Sequence, residues 1–323
     1  MKQVTILIPA YNEEKTIPLT YKKIVDVTES LNFYKWELLF VDDGSTDATL
    51  NILKQLRTHD QRVKYIRFSR NFGKESAMLA GFDYAKGDCV IVMDADMQDP
   101  PELIGEMLEE WEKGAQDVYA KRTSRGKESI IRRHLSLLYY RLLAKISDVE
   151  ILQNVGDFRL LDRRCVDALC QMRESQRYTK GLFCWIGFQK REITFERQDR
   201  IRGHSSWNLL RLTNFAIDGI TSFSIVPLRI SAIIGILTSG ATVIYMFYFL
   251  IKTLLYGDPV QGFPTLIVVI LLLGGLQLCS LGIIGEYIGR IYNETKKRPV
   301  YIVSEKETDN EEQKVFSLCR NTD

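Results

Sequence analysis

The chain has 323 residues and a formal net charge of +2. Near-neutrality argues against a nucleic-acid-binding protein, which carries a basic domain or stripe. The length allows one soluble domain of ordinary size and something smaller beside it.

Met1-Lys2-Gln3 leads directly into an apolar first strand over residues 4–8 ended by Pro9, so no signal peptide is expected here. Ala10-Tyr11-Asn12-Glu13-Glu14 is a loop, followed by a helix over about 15–31. Residues 36–41 form a second strand, ending in Asp42-Asp43-Gly44-Ser45-Thr46-Asp47. Asp47 can cap the next helix, which runs through Leu56. A third strand spans 63–68, then a basic loop, Ser69-Arg70-Asn71-Phe72-Gly73-Lys74, and a helix over about 75–85. Val90-Ile91-Val92-Met93 is too short and too β-branched for a buried helix and reads as an interior strand of a parallel sheet. It stops at Asp94-Ala95-Asp96-Met97-Gln98-Asp99-Pro100-Pro101, where the prolines cannot donate to a ladder. Strands alternate with helices at βαβ spacing, so an α/β fold with a mostly parallel sheet is expected.

Three strand ends therefore carry Glu13, Asp42/Asp43 and Asp94/Asp96, at the edge where open α/β sheets bind ligands. Asp94 and Asp96 would face one side of a regular strand. Crowded carboxylates repel unless a proton or cation intervenes, and a hard divalent cation that also holds a diphosphate resolves this. The alternatives are turn chemistry for Asp42/Asp43 and Asp94/Asp96, while Asp99 reads as a helix N-cap before Pro100.

Further on, a helix over 102–113 precedes a strand over 118–122 ending in Lys121 and Arg122. Arg125, Lys127, Arg132 and Arg133 extend that basic cluster, and apolar residues from Leu135 to Ile146 recur at helical spacing. This suits an anionic lipid head beside a membrane, or equally a solvated face on a core helix. Asn154-Val155-Gly156-Asp157-Phe158-Arg159-Leu160 follows, with Asp162 as N-cap of a helix over 163–172 and a helix over 180–187 packed over the site. Residues 207–225 are moderately apolar and are expected to lie along a membrane surface. Residues 230–250 and 263–284 carry no charged residue, and each is long enough as helix to cross ~30 Å of hydrocarbon. Arg211 and Arg229 precede this hairpin, and Arg290, Lys296, Lys297 and Arg298 follow it, which places both ends in the cytoplasm by the positive-inside rule. Six cysteines without metal-like spacing read as reduced thiols, in keeping with that side. The charged tail after Val303 reads as disordered. The expected organisation is a cytosolic domain over 1–206, an interfacial helix over 207–225, a transmembrane hairpin over 226–289 and a cytosolic tail over 290–323.

Pro9-Ala10-Tyr11-Asn12-Glu13-Glu14, Val41-Asp42-Asp43-Gly44-Ser45 and Asp94-Ala95-Asp96 together resemble the family 2, GT-A fold glycosyltransferases. The resemblance implies a nucleotide-sugar site. Pro9, Tyr11 and Glu13 would line base and ribose, and Asp42 or Asp43 would read the base edge. Lys74, Asp94 and Ala95 would complete the donor site. Asp94, Asp96 and Gln98 would hold Mg²⁺ or Mn²⁺, with Asp96 also catalytic. The Met97-Gln98-Asp99-Pro100-Pro101 extension resembles the polyprenyl-phosphate subgroup, the relatives of dolichol-phosphate mannose synthase. Asp157 stands where that family has an aspartate beside the acceptor, with Arg122 or Arg159 to balance the acceptor phosphate. Arg200-Ile201-Arg202-Gly203-His204-Ser205-Ser206-Trp207 matches the family's basic loop over the diphosphate, except that Ser206 replaces the commoner lysine. That leaves more to Arg200 and Arg202. The two-span ending, with Gly282-Ile283-Ile284-Gly285-Glu286-Tyr287-Ile288-Gly289-Arg290, resembles the GtrB-type bactoprenol glycosyltransferases.

The implied activity is inverting transfer of a hexose, glucose or N-acetylglucosamine, from a UDP-sugar to undecaprenyl phosphate at the cytosolic face of the plasma membrane. A GDP-mannose-using mannosyltransferase and a non-catalytic nucleotide-sugar-binding scaffold are the alternatives. A processive polysaccharide synthase is excluded: two spans enclose no channel, and a Gln-x-x-Arg-Trp motif is missing. A lone hairpin gains stability by packing on copies of itself, so homo-oligomerisation stays open.

Overall fold

The computed structural model of the chain describes residues 1–123, 152, 155–175, 177–195, 224, 226–256 and 262–308. The first half is a regular alternation: β1 (Gln3–Ala10), α1 (Ile17–Ser30), β2 (Lys35–Asp42), α2 (Thr49–His59), β3 (Val63–Phe68), α3 (Lys74–Tyr84) and β4 (Cys89–Val92). A 3₁₀ turn (Pro101–Leu103), α4 (Ile104–Glu112) and β5 (Asp117–Arg122) follow. The second half contributes β6 (Val155–Asp162), α5 (Arg163–Gln171), α6 (Thr179–Trp185), β7 (Lys190–Phe195), the long helices α7 (Val226–Tyr256) and α8 (Phe263–Thr295), and β8 (Val303–Glu307).

The eight strands form one sheet in the order β7-β5-β6-β4-β1-β2-β3-β8. The β1–β2, β1–β4, β2–β3 and β5–β7 pairs are parallel, while β6 and β8 run against their neighbours. The sheet is buried on both faces. Val4, Ile6 and Ile8 pack on one side with Ile17, Ile24, Leu53, Met107 and Trp111. Leu7, Leu39 and Val41 pack on the other with Ala77, Met78, Val166 and Leu169. That two-sided burial is why the central strands read as unbroken apolar runs.

Residues 155–162, for which sequence reading assigns no element, form β6, antiparallel to β4 with Val92 paired to Arg159. One sequence expectation is corrected here. The tail after Val303 is not disordered throughout. Val303–Glu307 pairs antiparallel with β3. Tyr301 stacks on Phe68 with ring centroids 5.1 Å apart, and Lys54 Nζ lies 2.6 Å from Glu305 Oε1. These contacts offset the charge of the segment, and its exposed edge is blunted by that same charge.

α7 and α8 have 31 and 33 residues. The stretches Val226–Tyr245 and Leu272–Thr295 are long and apolar enough to cross a membrane and are almost entirely exposed in the isolated chain. At 1.5 Å per residue, both helices exceed ~30 Å of hydrocarbon. Glu286 pairs with Arg290 one turn on, at 3.3 Å. The connecting turn over 257–261, the 207–223 segment and the basic and amphipathic stretches over 124–151 lie outside the described residues.

Candidate active site

The loops after β1 and β2 are sewn together before any ligand is considered. Asn12, with φ 55°, accepts the Thr46 N–H at 2.9 Å and donates its own N–H to Ser45 Oγ at 2.9 Å. The Glu13 N–H reaches Thr49 Oγ1 at 2.9 Å. Asp47 accepts the Thr49 N–H at 3.0 Å, and so performs its capping task from one residue before the helix's N-cap position. Gly44 has φ +68°, and a Cβ there would stand 2.4 Å from the Arg70 carbonyl carbon, so no other residue fits the turn.

Asp42 and Asp43 are both buried. Asp43 Oδ1 accepts the Phe72 N–H at 2.6 Å and Oδ2 accepts the Gly73 N–H at 2.9 Å. Burial pushes its carboxyl up despite these bonds. Asp42 Oδ1 accepts the Ser45 N–H at 2.9 Å, while Oδ2 has no hydrogen-bond partner and lies 3.7 Å from Arg67 Nε. Asp43 is therefore a turn residue with both oxygens taken. Of the pair, Asp42 keeps an acceptor to spare. Pro9 is buried in β1 beside Val41, and Tyr11 is 45% exposed at the mouth of the same loop.

The centre of the site is Lys74, first residue of α3. Its Nζ lies 2.6 Å from Asp94 Oδ1 and 2.5 Å from Asp157 Oδ2. The reversed direction of β6 makes this possible. Continuing the β4–β6 register two residues beyond Val92 sets position 94 opposite position 157. Burial opposes the Lys74 charge, but the two carboxylates outweigh it and hold the ammonium well above the ordinary lysine range. Burial likewise opposes the Asp157 charge, and Lys74 and Lys180 outweigh it, so its carboxyl sits below the usual range. Asp157 Oδ1 is buried without a hydrogen-bond partner.

Other carboxylates crowd the same edge. Burial raises the Glu13 carboxyl, its hydrogen bond from Thr16 works against that, and Asp96, Asp47 and Asp94 add to the rise. Asp96 Oδ1 accepts the Gln98 N–H at 3.1 Å around Met97, which has φ 65°. The Ala95 carbonyl accepts the Thr20 hydroxyl at 3.1 Å. Asp99 is not a helix cap: the cap position is Pro100, and Asp99 Oδ2 accepts the Asp94 N–H at 3.0 Å. Burial first, and the Asp94 charge second, push the Asp99 carboxyl up to about 7.

Two of the expected basic residues part ways. Arg122 ends β5 close to Gly156, where an added Cβ would meet its Nη2 at 3.4 Å, and its Nε is buried without a hydrogen-bond partner. The Nε of Arg159 is orphaned in the same way, so it is the pairing of the rest of the guanidinium that separates the two. Arg159 does not stand ready for an acceptor phosphate, which corrects the expectation. It is 2% exposed, its Nη1 sits 3.1 Å from the fully buried Asp117, and its guanidinium lies 3.8 Å from the Phe183 ring centroid. A buried carboxylate has claimed it. Arg200 and Arg202 lie outside the described residues.

Among the described residues, no group of three or more His, Cys, Asp or Glu side chains forms a metal cage. The donors at hand are oxygens, and Asp94 already binds a cation, the Lys74 ammonium. This fits a hard divalent cation held through one or two carboxylates and a substrate diphosphate better than an all-protein cage. Gln98 is 3% exposed, so a ligand role for its carbonyl needs a local shift. Sequence reading missed Lys180, Glu75 and the Asp99–Asp94 bond. Burial pushes the Glu75 carboxyl up, and it accepts the Thr179 N–H at 3.2 Å, tying α3 to α6.

A mostly parallel sheet buried on both faces, with clustered carboxylates at its carboxyl edge and an apolar helical hairpin beyond it, is the architecture expected of a GT-A glycosyltransferase, and the family models agree. Residues 5–170 match the model for glycosyl transferase family 2, and residues 226–291 match the GtrB C-terminal hairpin. The chain belongs to glycosyl transferase family 2. It is 45% identical to "Putative glycosyltransferase CsbB" of Bacillus subtilis, covering 97% of this chain and 95% of that one. It is 43% identical to "Bactoprenol glucosyl transferase" of Shigella phage SfV, covering 97% of this chain and all of that one. It is 42% identical to "Prophage bactoprenol glucosyl transferase homolog" of Escherichia coli, covering 93% and 98%.

Proposed function

We propose that this glycosyltransferase moves a hexose from a UDP-sugar to undecaprenyl phosphate, with inversion, on the cytosolic leaflet. The observation that carries the reading is the Asp94–Lys74–Asp157 bridge at the carboxyl edge of the sheet, in a chain that also carries an apolar hairpin. The names of the bactoprenol relatives support the lipid acceptor and favour glucose.

In this reading Tyr11 and Asp42 receive the nucleoside, and Asp94, Asp96 and Gln98 would hold Mg²⁺ or Mn²⁺. A bound cation would neutralise charge on the departing diphosphate. Lys74 lies where it can turn onto that diphosphate. Arg200 and Arg202 lie outside the described residues and enter this reading through the family resemblance alone. The acceptor phosphate oxygen attacks the anomeric carbon, and the bond to UDP breaks with its electron pair leaving on the diphosphate. An acceptor phosphate with a second pKa of about 6 is already largely ionised at neutral pH. Asp157, held ionised by Lys74, is a weak base. It serves to orient the acceptor, whose phosphate is met by Arg122. β8 returns the chain to the catalytic sheet after α8, which supports both ends of the hairpin lying on one side, and the flanking Arg229, Arg290, Lys296, Lys297 and Arg298 favour the cytosolic side. A scaffold would need neither Asp157 nor the bridge.

The test is transfer of labelled sugar from UDP-glucose, UDP-N-acetylglucosamine or GDP-mannose to undecaprenyl phosphate in detergent or vesicles, with and without EDTA. Transfer from a UDP-sugar that EDTA abolishes is expected. Transfer from GDP-mannose alone would replace the donor, and no transfer from any donor would favour the scaffold.

A further inference from the structure

Lys74 is placed unusually for a residue that merely greets a phosphate. Its Nζ sits at hydrogen-bond distance from both Asp94 Oδ1 and Asp157 Oδ2, at 2.6 and 2.5 Å. Its backbone is fixed, because Asp43 grips the two N–H groups just before it, those of Phe72 and Gly73. Its side chain is 40% exposed, and a lysine stem is flexible enough to swing while the helix start stays still.

Building on the proposed function, we infer that Lys74 is the protein's own counter-ion for the Asp94–Asp157 pair and competes there with the divalent cation. The ammonium on Asp94 Oδ1 takes up part of the negative charge a divalent cation would use, and a metal at about 2.1 Å from the same carboxylate would be repelled by it. The cation therefore gains full access to Asp94 only when the ammonium leaves. A nucleotide diphosphate gives it somewhere to go. Cation and nucleotide then bind with positive coupling beyond their direct contact, and linkage makes that coupling reciprocal. The nearby Lys180 acts on Asp157 through its field alone, with no hydrogen bond to Asp94 or Asp157. Glu13 and Asp96, which interact electrostatically beside Asp94, keep this edge attractive to a cation once the ammonium has moved.

The experiment is Mn²⁺ binding to the full-length protein in detergent, read by electron paramagnetic resonance, with and without UDP. Wild type should bind Mn²⁺ weakly alone and about tenfold or more tightly with UDP, within the usual range of coupling. Lys74→Gln and Lys74→Met should each bind Mn²⁺ alone several-fold to tenfold more tightly than wild type, with a smaller gain from UDP. Lys74→Arg, which keeps the charge, should stay weak. Lys180→Gln should change Mn²⁺ affinity less than threefold. Thermal melts establish that each variant is folded. If the neutral Lys74 variants bind Mn²⁺ alone no better than wild type, while all bind it with UDP, the counter-ion role is wrong and the metal-dependent reading stands. If Lys180→Gln tightens binding as much as Lys74→Gln, the effect is a general field and the inference fails. If no form binds Mn²⁺ even with UDP, both readings fall.

Discussion

Asp43 Oδ2 accepts the Gly73 N–H at 2.9 Å, a bond that joins the end of β2 to the start of α3 across thirty residues of chain. With the Phe72 bond it decides where Lys74 begins. Asp43→Ala should leave two backbone donors without their acceptor. At about 1–3 kcal/mol for each buried group left unsatisfied, the variant should melt several degrees lower. Donor affinity should fall with it, while Asp43→Asn, which keeps one acceptor, should lose less of both. A melting curve and UDP titration of the two variants decide this.

Asp96→Ala is expected to lose cation-dependent UDP binding and turnover together. The residue also accepts the Gln98 N–H, so Asp96→Asn is the gentler control and should keep the fold. Undiminished transfer by either variant in EDTA would remove Asp96 from the metal set.

The two arginines should separate cleanly. Arg159→Ala strands the buried Asp117 and should destabilise by about 3–5 kcal/mol, as for one partner lost from a buried pair. Arg122→Ala should melt near wild type while raising the KM for undecaprenyl phosphate. A melt of Arg122→Ala as low as that of Arg159→Ala would make Arg122 structural.

For Asp157→Asn, donor binding should be retained, or tightened a little as Lys74 is held less firmly, while transfer falls by orders of magnitude, the signature of a contact felt in the transition state. If the acceptor supplies its own nucleophile, the acidic limb of the rate profile should follow the lipid phosphate, near about 6. A phosphonate acceptor of different pKa should then move that limb. A limb that stays put would reinstate Asp157 as the base.

The tail should titrate as part of the fold. The hydrogen bond from Lys54 leads in holding the Glu305 carboxyl below its usual range, and the Tyr65 hydroxyl helps. Because the folded value is depressed, this contribution is present above about pH 4.3 and fades as pH falls through the folded value. The pair is partly exposed, so the effect should be well under about 1 kcal/mol. Tyr301→Phe removes a 2.6 Å bond to Asp83 and should cost more, about 1.5–3 kcal/mol for a bond to a charged group. In sealed cells, a cysteine in the 257–261 turn should label from outside and Ser304→Cys should not.

The central strands were legible because they are buried on both faces and read as apolar runs, Val90 to Met93 above all. The strand-end carboxylates were legible for the same reason: each marks where such a run stops. β6 was not legible, since Val155-Gly156-Asp157 opens with a glycine and an aspartate, and its meaning depends on running against β4. β8 hid behind Glu305, Lys306 and Glu307, the charges that suit an edge strand. Partners distant in sequence were beyond reach as well. Nothing local marks Arg159 as belonging to Asp117 on another strand, or Asp43 as the holder of Phe72 and Gly73.

The return of the chain to form β8 has a mechanical consequence. A domain hung from a membrane by one connection can pivot and bob. This one is moored at two points, through the segment that enters α7 and through the strand that follows α8, where Glu294 also receives the Ser175 hydroxyl at 2.6 Å. Two moorings allow far less rotation than one, and the length of the connection from Lys296 to Ile302 then limits how far the Asp94–Asp157 edge can travel relative to the hairpin.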